Sequence, residues 1–346
     1  MHNCMVEYFP WSEGVRDHCL NESKAGKIPI LDLDFSSKCC LKTCIYCDSI
    51  TNLHEPDALT FSELSEIIDK AYQKGLKYIN ICGIGEPTDD DKFLDLLELA
   101  SKYDICVSVF TNGLFSTEIL KHILNHNVCL IMKMDSFNPS IFELILGKQG
   151  LANRIYNLID ELVSNGFVNK KNSNQTNLAF SIVPTRLNFN EIEDIVSFCK
   201  QNKIFPSIGE LEFAGKAVSL YKDISLSKEE LTVLKGKVEK ILGYEYQRPI
   251  CPSIISGLHI SNTGKCIVDR LTGLNCHWFM LKNPDMIEIG DTRLESLDEI
   301  NAKVRKYRKE NFQPDFLEKD CMVPNVFGGC GGSLVEVAKK AVEYIY

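Results

Sequence analysis

Between residues 28 and 215, short apolar runs alternate with amphipathic stretches of helical period, and few architectures accept that pattern. The apolar runs are "IPILDLDF", "KYINICGI", "ICVSVFTN", "VCLIMKMD", "NLAFSIVP" and "FPSIGELEF". Helix signals stand between them. Thr60 and Glu63 in "TFSE" form a capping box, Leu64, Ile67, Ile68, Ala71 and Tyr72 follow at helical spacing, and Gly75 stops the run. Ser116 and Asn190 are predicted to cap two later helices. Such βα units build either a partial (β/α)6 TIM-like barrel or an open doubly wound sheet, and both hold ligands at the C-terminal ends of the strands. The expected class is α/β, a partial barrel over residues 28–245 with an N-terminal extension (1–27) and a small C-terminal unit (246–346).

The unusual residues collect at those strand ends. "CCLKTCIYC" follows the first run, "GIGEP" the second, "TNG" the third, "DS" the fourth, "PTR" the fifth and "EFAG" the sixth. With 346 residues, 45% hydrophobic, the chain can bury a large core, and its net charge of -9 argues against a general nucleic-acid or anionic-membrane surface. The basic run "KVRKYRKE" reads as a solvated helix face. The N-terminus lacks the apolar core of a signal peptide, and no apolar run approaches the ~18 residues of a membrane span. A cytoplasmic protein with no nucleic-acid or membrane partner is expected.

Fifteen cysteines are the anomaly, and in a reducing compartment metal binding or catalysis is their expected use. Cys82, Cys106 and Cys129 lie in apolar strands and Cys199 on a helical face, where a thiol packs as a small hydrophobe. Cys40, Cys44 and Cys47 are different. Their C-x3-C-x2-C spacing can wrap three thiolates around one face of a metal centre, while Cys39, adjacent to Cys40, points the other way. On a [4Fe-4S] cluster three ligands leave the fourth iron open. A zinc knob completed by a distant cysteine or histidine is the alternative.

With Tyr46 just before its last cysteine, this loop resembles the signature of the radical S-adenosylmethionine superfamily. Gly85, Glu86 and Pro87 of "GIGEP" are similar to that family's GGEP stretch, with Ile84 in place of the first glycine. The resemblance implies a cluster held by Cys40, Cys44 and Cys47 whose open iron chelates S-adenosylmethionine. It implies that Gly85, Glu86 and Pro87 hold the methionine amino group. Lys133, Asp135 and Ser136 in "IMKMDS" stand where relatives contact the ribose and carboxylate, Asn112 in "TNG" ends the neighbouring strand as a further candidate, and Ile182 or Val183 would border the adenine. An electron from a donor such as flavodoxin or ferredoxin would then cleave the cofactor to a 5'-deoxyadenosyl radical, which takes a hydrogen atom from the substrate.

The C-terminal region holds Cys251, Cys266, Cys276, Cys321 and Cys330, a hairpin turning at Asn262, Thr263 and Gly264, and "IEIGDTRLESLDEI". It resembles the SPASM or twitch extensions, which implies one auxiliary [4Fe-4S] cluster on Cys251, Cys276, Cys321 and Cys330. Cys266 is left as an alternative ligand or as a free catalytic thiol facing the cup. The auxiliary cluster suits net oxidation and a free thiol suits epimerisation.

About thirty residues precede the first strand, too few for a separate leader-peptide domain, so a small polar metabolite such as an amino sugar or cyclitol is the expected substrate. Maturation of a ribosomal peptide is the alternative. Arg186, Glu210, Glu212 and His259 are candidate substrate contacts. The rival from another class, a non-catalytic Fe-S or zinc protein, would have no use for the GEP strand end.

Overall fold

The computed structural model describes residues 7–8, 13–36, 38–47, 57–81, 85–168, 175–211, 215–246, 256–269, 286–311, 326–327 and 345. Each of the six apolar runs forms a strand: β2 (Ile30–Leu33), β3 (Tyr78–Ile81), β4 (Cys106–Thr111), β5 (Val128–Lys133), β7 (Leu178–Ile182) and β8 (Phe205–Ile208). They pair in parallel in that order, each with its successor. Because the order never reverses there is no switch point, and the sheet is a partial TIM-like barrel instead of a doubly wound one.

Side-chain alternation sorts the two faces of these strands. Leu31, Leu33, Ile79, Ile81, Val107, Val109, Leu130, Met132, Leu178 and Phe180 belong to the main core shared with the helices. That outer layer includes α2 (Phe61–Gln73), α3 (Phe93–Lys102), α4 (Thr117–Asn125), α6 (Ala152–Ser164), α7 (Ile192–Asn202) and α9 (Lys228–Leu242). The inner face carries an apolar cluster of Cys106, Cys129, Ile131, Ala179 and Phe205. On the same face Asp32, Asn80, Ser108, Ser207 and His259 are all buried, with Asn80 Nδ2 donating to Asp32 Oδ1 at 2.6 Å. The barrel interior is therefore part apolar and part polar, with Ser108 in register with Cys129.

The local signals behave as their chemistry dictates. Thr60 and Glu63 make the capping box of α2, and Ser116 caps α4 by accepting from Ile119 N–H. Ser227 and Glu230 make a second box at α9. Asn190 does not cap: it lies in a 3-10 turn, Phe189–Glu191, and Glu191 stands at the N-cap of α7. The Glu191 carboxylate is drawn instead to the segment after β5, where it accepts from Ser136 Oγ and from the N–H groups of Phe137 and Asn138.

The flanking segments close the barrel. Helix α1 (Glu13–Lys24) packs Val15 and Cys19 on Ile30 and Tyr78 at the lower end of the inner face. Beyond α9, β9 (Leu258–Ile260) joins the free edge of β2 in parallel, and β10 (Lys265–Asp269) and β11 (Met286–Asp291) continue antiparallel. Helix α10 (Leu297–Asn311) presents Ile300 and Val304 to the core, and its Arg308, only 2% exposed, donates to Gly257 O at 2.9 Å. Among the basic residues of "KVRKYRKE", Lys303, Lys306 and Lys309 are thus solvated and Arg308 is buried. At the opposite edge Tyr246 Oη donates to Pro206 O and accepts from Ile208 N–H, and its ring meets Phe327 edge-on. Among the described residues the C-terminal region covers both edges of the six-stranded sheet. A short parallel pair, β1 (Glu7–Tyr8) with β6 (Gln175–Thr176), lies apart from it. The remaining helices are α5 (Pro139–Leu146) and α8 (Ala217–Ile224).

Candidate active site

The cysteine loop leaves the C-terminal end of β2 and is clamped from three sides. Glu86 N–H donates to Lys38 O at 2.7 Å, Thr43 Oγ1 and Ile45 N–H donate to Leu146 O and Ile145 O, and Lys216 N–H donates to Cys47 O at 3.0 Å. Two glycines permit this crowding. A Cβ on Gly85 (φ +87°) would lie 2.2 Å from Ser36 O and 2.5 Å from Lys38 O, and one on Gly147 (φ +67°) 2.3 Å from Thr43 O. Only glycine combines that backbone with so close an approach.

Cys40 is exposed and Cys44 and Cys47 are half-buried, all three as free thiols. Cys40 N–H donates to Asp89 Oδ2 at 2.6 Å, and the Asn112 amide lies 3.9 Å from Cys40 Sγ. Burial and then the Asp89 carboxylate push the Cys40 thiol up to about 12. Burial lifts Cys44 to about 11 against the pull of Lys133. A metal must displace a tightly held proton from each, and Lys133 is the cation that eases it at Cys44.

The loop's donor set distinguishes a cluster from a single ion. Thiolates about 2.3 Å from a tetrahedral zinc lie about 3.8 Å apart. Among the described residues, the group of three possible ligands that does converge within 4.8 Å is Glu98, His122 and His126, and not the cysteines of the loop. Three thiols spaced more widely than the ligands of one zinc ion fit a larger group such as [4Fe-4S].

The wall of the cup is built from Tyr46, Lys133, Asp135 and Val183. Lys133 Nζ sits 2.7 Å from the fully buried Asp135 Oδ2, donates to Tyr46 Oη at 3.1 Å and lies 4.2 Å from the Tyr46 ring centroid. Burial works against the charge on Lys133, but Asp135 and Cys44 outweigh it and its proton is held more tightly than usual. Burial and Asp135 together raise Tyr46 well above the ordinary phenol range, so its hydroxyl stays neutral. Asp135 Oδ1 accepts from Val183 N–H at 2.8 Å. Val183 packs in the Tyr46 cluster, whereas Ile182 is buried in the main core on the other face.

Glu86 is 2% exposed and accepts from Thr111 Oγ1, Asn112 N–H, Thr88 Oγ1 and Thr88 N–H. Burial still raises its carboxyl above the ordinary value despite those bonds. It brackets the cysteine loop, the 3-10 turn at Pro87–Asp89 and the end of β4 together. Ser136 is fully buried, with its hydroxyl directed to Glu191 and Asn138 O, a capping role in place of the expected ribose contact.

Cys266 departs most from expectation. Cross-strand partners share a face, and Cys266 pairs with Ile260, which pairs with Leu33. All three lie in the main core, so the thiol is 0% exposed on the face away from the cup, and burial lifts it to about 12. It is not placed to meet a substrate. Arg186 forms a two-pronged pair with Glu230, and Glu210 Oε1 accepts from the N–H groups of Val326 and Phe327, so both side chains are engaged within the chain. The thiols of Cys106, Cys129 and Cys199 are buried as predicted. Cys82, Ile84, Glu212 and the expected auxiliary ligands Cys251, Cys276, Cys321 and Cys330 lie outside the described residues.

His259 points inward, opposite Asp32 across β2, with Nε2 3.0 Å from Asp34 Oδ2. Burial lowers its affinity for a proton, but Asp34 and then Asp32 more than reverse this. Stability from this group is complete below the ordinary imidazole value near 6.5 and is lost as pH rises through the higher folded value. In urea unfolding between about pH 6 and pH 9, the wild type is expected to lose stability that His259→Gln lacks throughout. Parallel curves for the two proteins refute the protonated pair.

Local sequence carried no signal for Asp89, Gly147, Glu191 or Lys216, because each meets the site from a distant element. Lys216 Nζ, for example, donates to Lys42 O across 174 positions.

Residues 35–199 match the family model described as the Radical SAM superfamily. The mycofactocin maturase MftC of Mycolicibacterium smegmatis is 23% identical over 242 residues, 66% of this chain and 59% of that protein, so the match leaves much of that relative's length uncovered. A GTP 3',8-cyclase of Clostridium botulinum is 24% identical over 213 residues, 59% of this chain and 63% of that one. The crystal structure of Streptococcus suis SuiB bound to precursor peptide SuiA shares the fold, with a TM-score of 0.57 at 15% identity over 94% of this chain and 77% of that one.

Proposed function

This chain belongs to the radical SAM superfamily, and from that premise we propose that it is a peptide maturase of the SPASM/twitch branch that oxidises a C-H position of a ribosomally made peptide. The cofactors of the family are a [4Fe-4S] cluster and S-adenosylmethionine, and its SPASM members carry auxiliary clusters as well. The observation that carries the assignment is the loop bearing Cys40, Cys44 and Cys47 at the end of β2, locked against Gly85 and Glu86 at the end of β3. Together the bound groups supply one-electron cleavage and a strong hydrogen-atom acceptor.

The chain's own residues then have separable roles. Cys40, Cys44 and Cys47 hold the metal, and Asn112 donates toward Cys40 sulfur. Gly85 and Pro87 shape the backbone that receives the methionine end, with Glu86 fixing it from beneath. Lys133 and Asp135 present paired charge to the cofactor's polar end, Tyr46 excludes water over that pair, and Val183 offers the adenine an apolar edge. An auxiliary cluster on Cys251, Cys276, Cys321 and Cys330 would take the second electron, and a flavodoxin or ferredoxin in the cytoplasm would supply the first.

Similarity to the mycofactocin maturase supports a peptide substrate over the amino sugar or cyclitol expected from sequence. The length of chain before the first strand, on which that expectation rested, bears less directly on substrate. The burial of Cys266 away from the cup supports oxidation over thiol-quenched epimerisation. A second reading, chemistry on a nucleotide, follows from the cyclase similarity. It has less support, because a triphosphate needs uncommitted cations and Lys133 and Arg186 are both paired. The test is anaerobic reconstitution, reduction with dithionite and addition of S-adenosylmethionine, with either a candidate precursor peptide or GTP. Formation of 5'-deoxyadenosine with a mass change in the peptide is expected. No 5'-deoxyadenosine refutes the radical chemistry, and turnover of GTP alone refutes the peptide.

A further inference from the structure

Far from the cup, Glu98 in the middle of α3 meets His122 in the last turn of α4 and His126 at its C-cap. These helices run back toward the N-terminal ends of β4 and β5, so the group lies at the opposite end of the barrel. His122 and His126 are four residues apart on one helical face, with rings stacked at 5.6 Å and only 12° between their planes. Glu98 Oε1 lies 3.2 Å from His122 Nδ1 and 3.3 Å from His126 Nε2.

The hydrogen bonding of the group is unusual. His126 Nδ1 is 2.7 Å from His122 O, and a carbonyl only accepts, so Nδ1 carries the proton. In the neutral ring Nε2 then turns a lone pair toward a carboxylate oxygen. His122 Nδ1 is buried and makes no hydrogen bond, although the same oxygen is 3.2 Å away. Three electron-pair donors facing one another call for a positive centre between them. Ligands about 2.0–2.1 Å from a zinc ion at tetrahedral angles lie about 3.3 Å apart, which matches both measured separations. The Nδ1 bond to a backbone carbonyl is the outer contact that fixes a metal-binding imidazole.

We infer that Glu98, His122 and His126 form a binding site for a divalent transition ion, with zinc as the fitting member, separate from the iron chemistry of the cup. His126 Nε2, His122 Nδ1 and one Glu98 oxygen are the ligands. The Glu98 side chain is 60% exposed, which leaves the fourth position to water. Carbonyls at the C-terminal end of α4 add a favourable field for the cation. The ion ties α3 to α4 and leaves the strand ends untouched.

Zinc chloride is added anaerobically to the cluster-loaded enzyme, in which iron occupies the cysteines, and retained zinc is counted after dialysis for wild type, His126→Ala and Glu98→Gln. The wild type is expected to hold one zinc per chain more than His126→Ala. Glu98→Gln, which leaves the His126 contact to α4 intact, binds at least about tenfold more weakly. S-Adenosylmethionine cleavage is the same in all three. Cobalt in place of zinc gives a visible spectrum without the sulfur charge-transfer band in the wild type only. Equal zinc in wild type and variants, or no retained zinc in the wild type, overturns the site.

Discussion

Gly85→Ala is expected to remove iron from the cysteine loop and to lower 5'-deoxyadenosine formation about a hundredfold, the scale of a 1 Å misplacement at a reacting centre. An added Cβ would stand 2.2 Å from Ser36 O and 2.5 Å from Lys38 O, and neither backbone carbonyl can rotate away as a side chain would. The positive φ of +87° adds about 1–2 kcal/mol of its own for an L-residue. The chain must therefore separate the β3 end from the loop, breaking the Glu86 N–H bond to Lys38 O that sets the loop's height. Gly147→Ala, against Thr43 O at 2.3 Å, is expected to act the same way from the other side. Gly150 is the control. It also has a positive φ, +79°, but nothing lies within 4 Å, so Gly150→Ala should cost about 1 kcal/mol and leave the iron in place. Iron counts and product formation in the three variants decide the matter. Normal iron in Gly85→Ala would mean that the crowding does not hold the loop.

Lys133→Met carries the second large effect. It leaves Asp135, fully buried, without its cation, and breaking such a pair costs about 3 kcal/mol or more. It also removes the cation that opposes the raised thiol value of Cys44 and the donor to Tyr46 Oη. Urea unfolding should show the stability loss, and cluster loading and S-adenosylmethionine affinity should both fall. The double variant Lys133→Met/Asp135→Asn keeps an acceptor for Val183 N–H while removing the orphaned charge. It is expected to regain most of the stability and none of the cofactor affinity. Recovery of both would make the pair purely structural, and a single variant as stable as wild type would mean that the ion pair does not stabilise the fold.

The cysteine spacing and the GEP strand end were readable because a cysteine loop and a βα turn are local: Cys40, Cys44 and Cys47 lie within eight residues. The six strands were readable for a related reason, since a parallel strand covered on its outer face must be apolar along that face. Local caps followed the same logic at Thr60 and Ser116 and failed at Asn190, where the segment after β5 claims Glu191 and a 3-10 turn displaces the helix start.

Cys266 and Glu86 show what composition and spacing leave undecided. A thiol two residues after a hairpin glycine has two possible faces, and the pairing of β10 with β9, itself fixed by the free edge of β2, turned Cys266 into the core. A carboxylate at a strand end could meet solvent or cofactor, and the donors on Thr88, Thr111 and Asn112 drew Glu86 under the loop instead. The sequence by itself determined the class of fold, the end of the barrel that carries chemistry and the three thiols at its mouth, because these follow from periodicity and short-range spacing. Only the tertiary structure decided which polar groups face the cup, which hold it up, and that Glu98 meets two histidines at the other end, because those depend on strand register and on contacts between residues far apart in the chain.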